Sequence, residues 1–159
     1  QCTEWLFKLK PNANELEELA AMCQHFKRWE IPRSSYPTGK KGYYQWRIFL
    51  YDYQANEAAK VLLESGYSEE AIESVKQMIA KKDVKNNEQA QLIEDVACLV
   101  FLEHYMQPFA ATKKEYSEEK WLKIIKMTWS KMSPNAHEFA LKIRYAPEIF
   151  QLINKALTE

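Results

Sequence analysis

Apolar residues along this chain recur at steps of three and four, and nowhere do they alternate as a strand requires, so helices are predicted throughout. Trp5, Leu6 and Leu9 share one face of a first helix that Pro11 ends. Leu16, Leu19, Ala20 and Cys23 form the stripe of a second, with Asn12 or Asn14 as its cap and Glu15, Glu17 and Glu18 where the helix dipole favours acids. That helix closes near Lys27 and Arg28, before the Ile31-Pro32 break. A third is predicted over about 42–65, carrying Trp46, Leu50, Tyr53, Ala58, Val61 and Leu62, with Gly66 just beyond its end. Ser68 opens a fourth, striped by Ile72, Val75, Met78 and Ile79 and closed by Lys81 and Lys82. From Glu88 the apolar positions Leu92, Val96, Leu99, Val100 and Leu102 are nearly continuous, which predicts a central helix packed on more than one side and ended by Pro108. A polar link over 110–116 leads to Ser117, the cap of a helix bearing Trp121, Ile124, Ile125, Thr128 and Trp129. Ser133-Pro134 reads as a cap followed by proline at the first helical position, and two last helices are expected near 134–143 and 147–157. The fold class is all-α, about seven helices in one domain over 1–159.

One stretch interrupts this rhythm. His25 to Arg47 holds Lys27, Arg28, Arg33, Lys40, Lys41 and Arg47 against the single acid Glu30, with Tyr36, Tyr43, Tyr44 and Trp46 among them. It predicts a long basic and aromatic loop after the second helix. Arginines beside aromatic rings bind phosphates and stack on bases or on proteins. Arginine also serves as a structural fork that pins a loop in place.

Composition narrows the partners. Lys plus Arg and Asp plus Glu are both 22 in 159 residues, so nucleic acid is possible but not favoured by overall charge, and any electrostatic argument rests on local patches. Three glycines leave little turn chemistry for a β fold. The odd set Cys2, Cys23 and Cys98 follows no metal or redox spacing and is expected as reduced thiols in a cytoplasmic setting. No apolar run approaches the roughly 20 residues of a membrane span. The chain opens on Gln1 without methionine, and a preceding N-terminal part is expected.

Asp95 is the most informative acid. It enters the most apolar helix one residue before Val96, and its i+4 neighbour is Leu99, so it faces inward. A carboxylate there needs a cation, a metal or a set of donors. An ion pair with an arginine of the basic stretch and a metal-ligand or acid/base role are both open. His25 lies at the flank of the second helix beside the basic stretch. Glu103 lies eight residues beyond Asp95, about 80° around the helix, whereas His104 points nearly opposite. Among nucleophile and metal signatures, no glycine-rich phosphate loop, HExxH, CxxC or nucleophile elbow occurs.

Four segments, QHFKRWEIPRSSYP (24–37), GYYQWR (42–47), LIEDVACLVFLEHY (92–105) and TWSKMSP (128–134), resemble the domain-of-unknown-function family 4202 across essentially the whole chain. That resemblance implies a further N-terminal part and no settled activity. More distantly the layout is similar to the HD superfamily of all-α metal-dependent phosphohydrolases. In that likeness His25 ends the early helix, Gly66 to Ile79 is the helix pair and Asp95 is the late aspartate. Phe26 stands where the paired aspartate belongs, Gln54 where a helper histidine is plausible, and Lys82 follows Ile79 where a histidine is expected. What the likeness implies is an HD-like scaffold whose metal site is degraded, a divalent metal having only His25 and Asp95 to hold it.

The resulting expectation is a pocket between the 25–47 stretch and the Asp95 helix that takes an anionic, nucleotide-like small ligand. His25, Arg28, Trp29, Arg33, Tyr43, Trp46, Arg47 and Asp95 are its candidate residues, with residual phosphohydrolase activity as an open question. The rival is a non-catalytic module that binds protein or RNA through the same stretch. An exposed Trp29 and Trp46 would favour the rival, and both buried around a concavity would favour the pocket.

Overall fold

The computed structural model describes residues 1–158, and among these every regular element is helical. In order they are α1 (Cys2–Leu9), α2 (Glu15–Cys23), two 3-10 turns (Arg28–Glu30 and Arg33–Ser35), α3 (Gly39–Glu64), α4 (Glu69–Ile79), α5 (Glu88–Val100), a π-helical turn (Phe101–Tyr105), α6 (Met106–Thr112), α7 (Glu118–Trp129), α8 (Pro134–Ala140) and α9 (Pro147–Thr158). Taken as one run, α5, the π turn and α6 make eight helices among the described residues. The contacts divide the chain into two compact units, Cys2–Ile93 and the residues from Glu94 onward with Gln1, the boundary falling inside α5.

In the first unit α1 packs on α2, α2 on α4, and α3 along α4. Leu6, Leu50, Met78 and Ile79 are almost wholly buried, each stabilising by about 1.5–3 kcal/mol relative to an exposed position. The start of α2 is a complete capping box. Asn14 Oδ1 accepts from Glu17 N at 2.9 Å, and Glu17 Oε2 accepts from Asn14 N at 3.0 Å. Glu17 is wholly buried. Its other oxygen accepts from Lys10 Nζ at 2.7 Å and from the Gln89 amide at 3.2 Å. Burial pushes this carboxyl up, but Lys10, the Asn14 N–H and Gln89 outweigh it, and its pKa lies below the usual carboxylate range.

In the second unit α7 packs on α9, burying Trp121 and Ile125 with Ile149 and Ile153. Trp121 meets Phe109 edge-on, ring centroids 5.4 Å apart, and Tyr116 at 5.5 Å. Ser117 and Ser133 cap α7 and α8 through Lys120 N and Ala136 N.

Several predicted boundaries move, and α2 ends at Cys23 and not near Lys27 and Arg28. α3 starts at Gly39, ahead of 42, so Lys40 and Lys41 are helical and the basic interruption shrinks to residues 24–38. The break is set by Thr38, whose backbone is extended, and by Gly39 at φ +87°. Pro108 does not end its helix. The π turn comes first, with Met106 N–H bonded to Phe101 O, and it shifts the hydrogen-bond register by one residue. The missing N–H of Pro108 then falls in the first turn of α6, where proline is tolerated.

Candidate functional site

The 24–47 stretch is tied down on itself, and two of the segments singled out in the sequence do the tying. Gly42 is buried, and a Cβ built on it would lie 1.9 Å from Pro37 O, so only glycine lets 32–37 fold back over the first turn of α3. Arg33 completes the closure. Its guanidinium donates to Tyr36 O at 2.9 Å, Pro37 O at 2.8 Å and Gly39 O at 3.3 Å. Arg33 therefore acts as a fork on backbone carbonyls. Trp46 is buried at 7% exposure, its Nε1 donating to Ile31 O at 2.9 Å.

Above Trp46 lies Arg28, half-buried in the first 3-10 turn, its guanidinium carbon 4.9 Å from the ring centroid. No carboxylate among the described residues pairs with it. Burial holds its pKa below the ordinary value for arginine, the charge of Arg47 adds to the depression, and Tyr43 and Tyr51 act against it. Arg47 is half-buried on α3, donating to Tyr51 Oη at 2.8 Å with its guanidinium 4.9 Å from the Tyr51 ring. Lys81, in the left-handed backbone region just after α4 at φ +54°, places its Nζ 5.5 Å from the same ring. Tyr43 lies 6.0 Å from Trp46 and 5.9 Å from Tyr44, half-exposed. Arg28, Arg47 and Lys81 thus gather around Trp46, Tyr51 and Tyr43.

Tyr51 and Lys81 were not among the residues the sequence singled out. Lys81 read as a helix-closing cation, and only the packing of α4 on α3 brings it over Tyr51. Trp29 is 73% exposed in the 3-10 turn and His25 is exposed in the turn after α2. The two tryptophans divide, one buried and one exposed.

Asp95 belongs to the second unit and is 4% exposed. Two donors from one residue help a carboxylate survive there. Its Oδ1 accepts from Ser133 N at 2.8 Å and its Oδ2 from Ser133 Oγ at 2.5 Å. Ser133 Oγ in turn accepts from Ala136 N at 3.2 Å, so Asp95 orients the cap of α8. Glu94 sits beside it, 3.8 Å from Lys131 Nζ. The segments at 92–105 and 128–134 are thereby joined, as 24–37 and 42–47 are joined in the first unit.

The residues do not fit the metal centre that the HD likeness implies. Among the described residues no three His, Cys, Asp or Glu side chains come together in a way that could hold an ion. The residue after His25 is Phe26, which offers no ligand atom. An open groove of about 470 Å³ exists on α7, lined by Glu119, Leu122, Lys123, Lys126, Met127 and Ser130. It is one helix face with a single acid and two lysines, so the chemistry points to the arginine cluster as the candidate site.

The sequence model described as Domain of unknown function (DUF4202) matches residues 1–153. The chain belongs to the DUF4202 family. No curated protein and no solved structure matches it. Two closures carried by the family-like segments, Gly42 against Pro37 and Asp95 against Ser133, give those segments a physical role in this DUF4202 chain. No helix among the described residues is long and apolar enough to cross a membrane.

Proposed function

We propose that this DUF4202 chain binds an anionic, phosphate-bearing ligand at the cluster of Arg28, Arg47 and Lys81, with Trp46, Tyr43 and Tyr51 as its aromatic bed. The observation that carries the reading is Arg28, a half-buried guanidinium laid on Trp46 with no carboxylate partner among the described residues and a second guanidinium nearby. Burial and the charge of Arg47 both act against the Arg28 guanidinium, and a bound phosphate would relieve this through charge-assisted hydrogen bonds. Arg33 and Asp95 are left out of the ligand set, since both are spent on the fold. Hydrolysis of the HD type is not part of the reading, because it relies on a His-Asp metal pair and Phe26 follows His25 here.

Isothermal titration against nucleotides, sugar phosphates and inorganic phosphate tests it. Binding is expected for the wild type and at least tenfold weaker for Arg28→Ala, with Arg28→Lys between them, because lysine keeps the charge but not the bidentate fork. A folded protein that binds none of the panel would remove the reading. The rival module reading has Trp29 in its favour, a large ring at 73% exposure. It predicts that Trp29→Ala abolishes partner capture while Arg28→Ala does not.

A further inference from the structure

Of the six cations in the first unit that lie near an aromatic ring, four meet rings of α3. Lys40 is 5.8 Å from the Tyr44 ring, Arg28 is 4.9 Å from Trp46, and Arg47 and Lys81 are 4.9 and 5.5 Å from Tyr51. Lys40, Tyr44, Arg47 and Tyr51 are spaced by four, three and four residues, which confines them to one narrow stripe of a helix. At 1.5 Å per residue the stripe is about 16 Å long. From Ile31 to Tyr51 the chain has no Asp or Glu, although acids and bases balance over the whole sequence. Tyr43 and Tyr44 remain 41% and 40% exposed at the N-terminal end of the row.

We infer that the ligand of this surface is a single strand of nucleic acid, its phosphates on Lys40, Arg47, Arg28 and Lys81 and its bases stacked on Tyr43 and Tyr44. The inference rests on the anion-binding reading above and gives that anion a class. A mononucleotide offers one base and a compact charge, which a single ring and a tight cluster would satisfy. Here cations and rings are interleaved over three helical turns, as an extended backbone with unpaired bases requires. A duplex keeps its bases stacked inside and leaves exposed tyrosines nothing to stack on. An acidic peptide would use the cations but has no need of the half-open rings.

Fluorescence anisotropy on the full chain tests the inference, with 5′-labelled oligouridylates of one to eight nucleotides over a range of salt. Uridine monophosphate and inorganic phosphate are titrated in parallel by calorimetry. Affinity is expected to rise at least tenfold from one to about four nucleotides and then to level off. Three to four neutralised phosphates predict a slope of log K on log salt of about −2 to −3. Lys40→Ala should reduce that slope by about 0.7, and the Tyr43→Ala, Tyr44→Ala double variant should weaken binding roughly tenfold or more with its circular dichroism unchanged. If monophosphate or inorganic phosphate binds as tightly as the octamer, the single strand is wrong and the anion site stands. If none of the three binds, both readings fall. Equal binding of an RNA duplex or of a polyglutamate of matched charge, or no effect of the double tyrosine variant, would also overturn the single-strand assignment.

Discussion

Replacing Asp95 by alanine isolates the joint between α5 and α8. The carboxylate accepts one backbone N–H and one hydroxyl, at 2.8 and 2.5 Å, with only 4% of the residue exposed. Hydrogen bonds to a charged group contribute about 1.5–3 kcal/mol each, and the two share one cap, so the sum is taken below full additivity at about 3 kcal/mol. For a chain of this size that lowers the melting temperature by about 6–12 °C. Asp95→Asn would keep an acceptor for Ser133 N but lose the charge, and the expected loss is about 1–1.5 kcal/mol. Ser133→Ala removes the Oγ that both donates to Asp95 and accepts from Ala136, at a cost of about 1–2 kcal/mol. Urea unfolding of the two alanine variants and their double mutant gives the coupling energy, expected at about 1–2 kcal/mol and unchanged by a chelator. Strictly additive losses, or a wild type that a chelator destabilises as much as Asp95→Ala does, would refute the donor-pair account and return Asp95 to metal binding.

Three further outcomes follow from packing and charge. Gly42→Ala should destabilise by about 2–3 kcal/mol in thermal melts, because its Cβ would meet Pro37 O at 1.9 Å. Glycine to alanine inside a helix otherwise stabilises by about 1 kcal/mol, so any net gain would disprove the close approach. Trp46→Phe should lose about 1 kcal/mol with its bond to Ile31 O, whereas Trp29→Ala should stay within about 0.5 kcal/mol, as measured by urea midpoints. Glu17 has a folded pKa below its unfolded one, so its contribution is complete above the ordinary carboxylate range and is lost as pH falls through the lower folded value. Glu17→Gln should therefore lower stability at neutral pH and flatten the acid limb of a stability–pH profile. An unchanged acid limb would show that the ordinary carboxylates dominate it.

Helix type and order were legible in the chain because each element buries one stripe, and a stripe is a local property of spacing. The caps at Asn14, Ser68, Ser117 and Ser133 were legible for the same reason, since a cap bonds to a backbone N–H two or three residues away. The basic and aromatic character of 25–47 was legible as composition. Its geometry was not. Whether Arg33 meets a phosphate or its own carbonyls depends on how 32–37 folds over α3, and that turns on the space left by the hydrogen of Gly42. Pro108 signalled a helix end by local rules, and the π turn before it overrode them. Lys81 joined the arginines only because α4 lies along α3, a contact between residues about 30 positions apart that no spacing encodes. Asp95 shows the division most directly. Its inward face and its need for partners follow from the apolar residues around it in sequence. That its partners include the N–H and hydroxyl of Ser133, 38 residues away, was decided by tertiary packing, because an acceptor takes whichever donors the fold delivers.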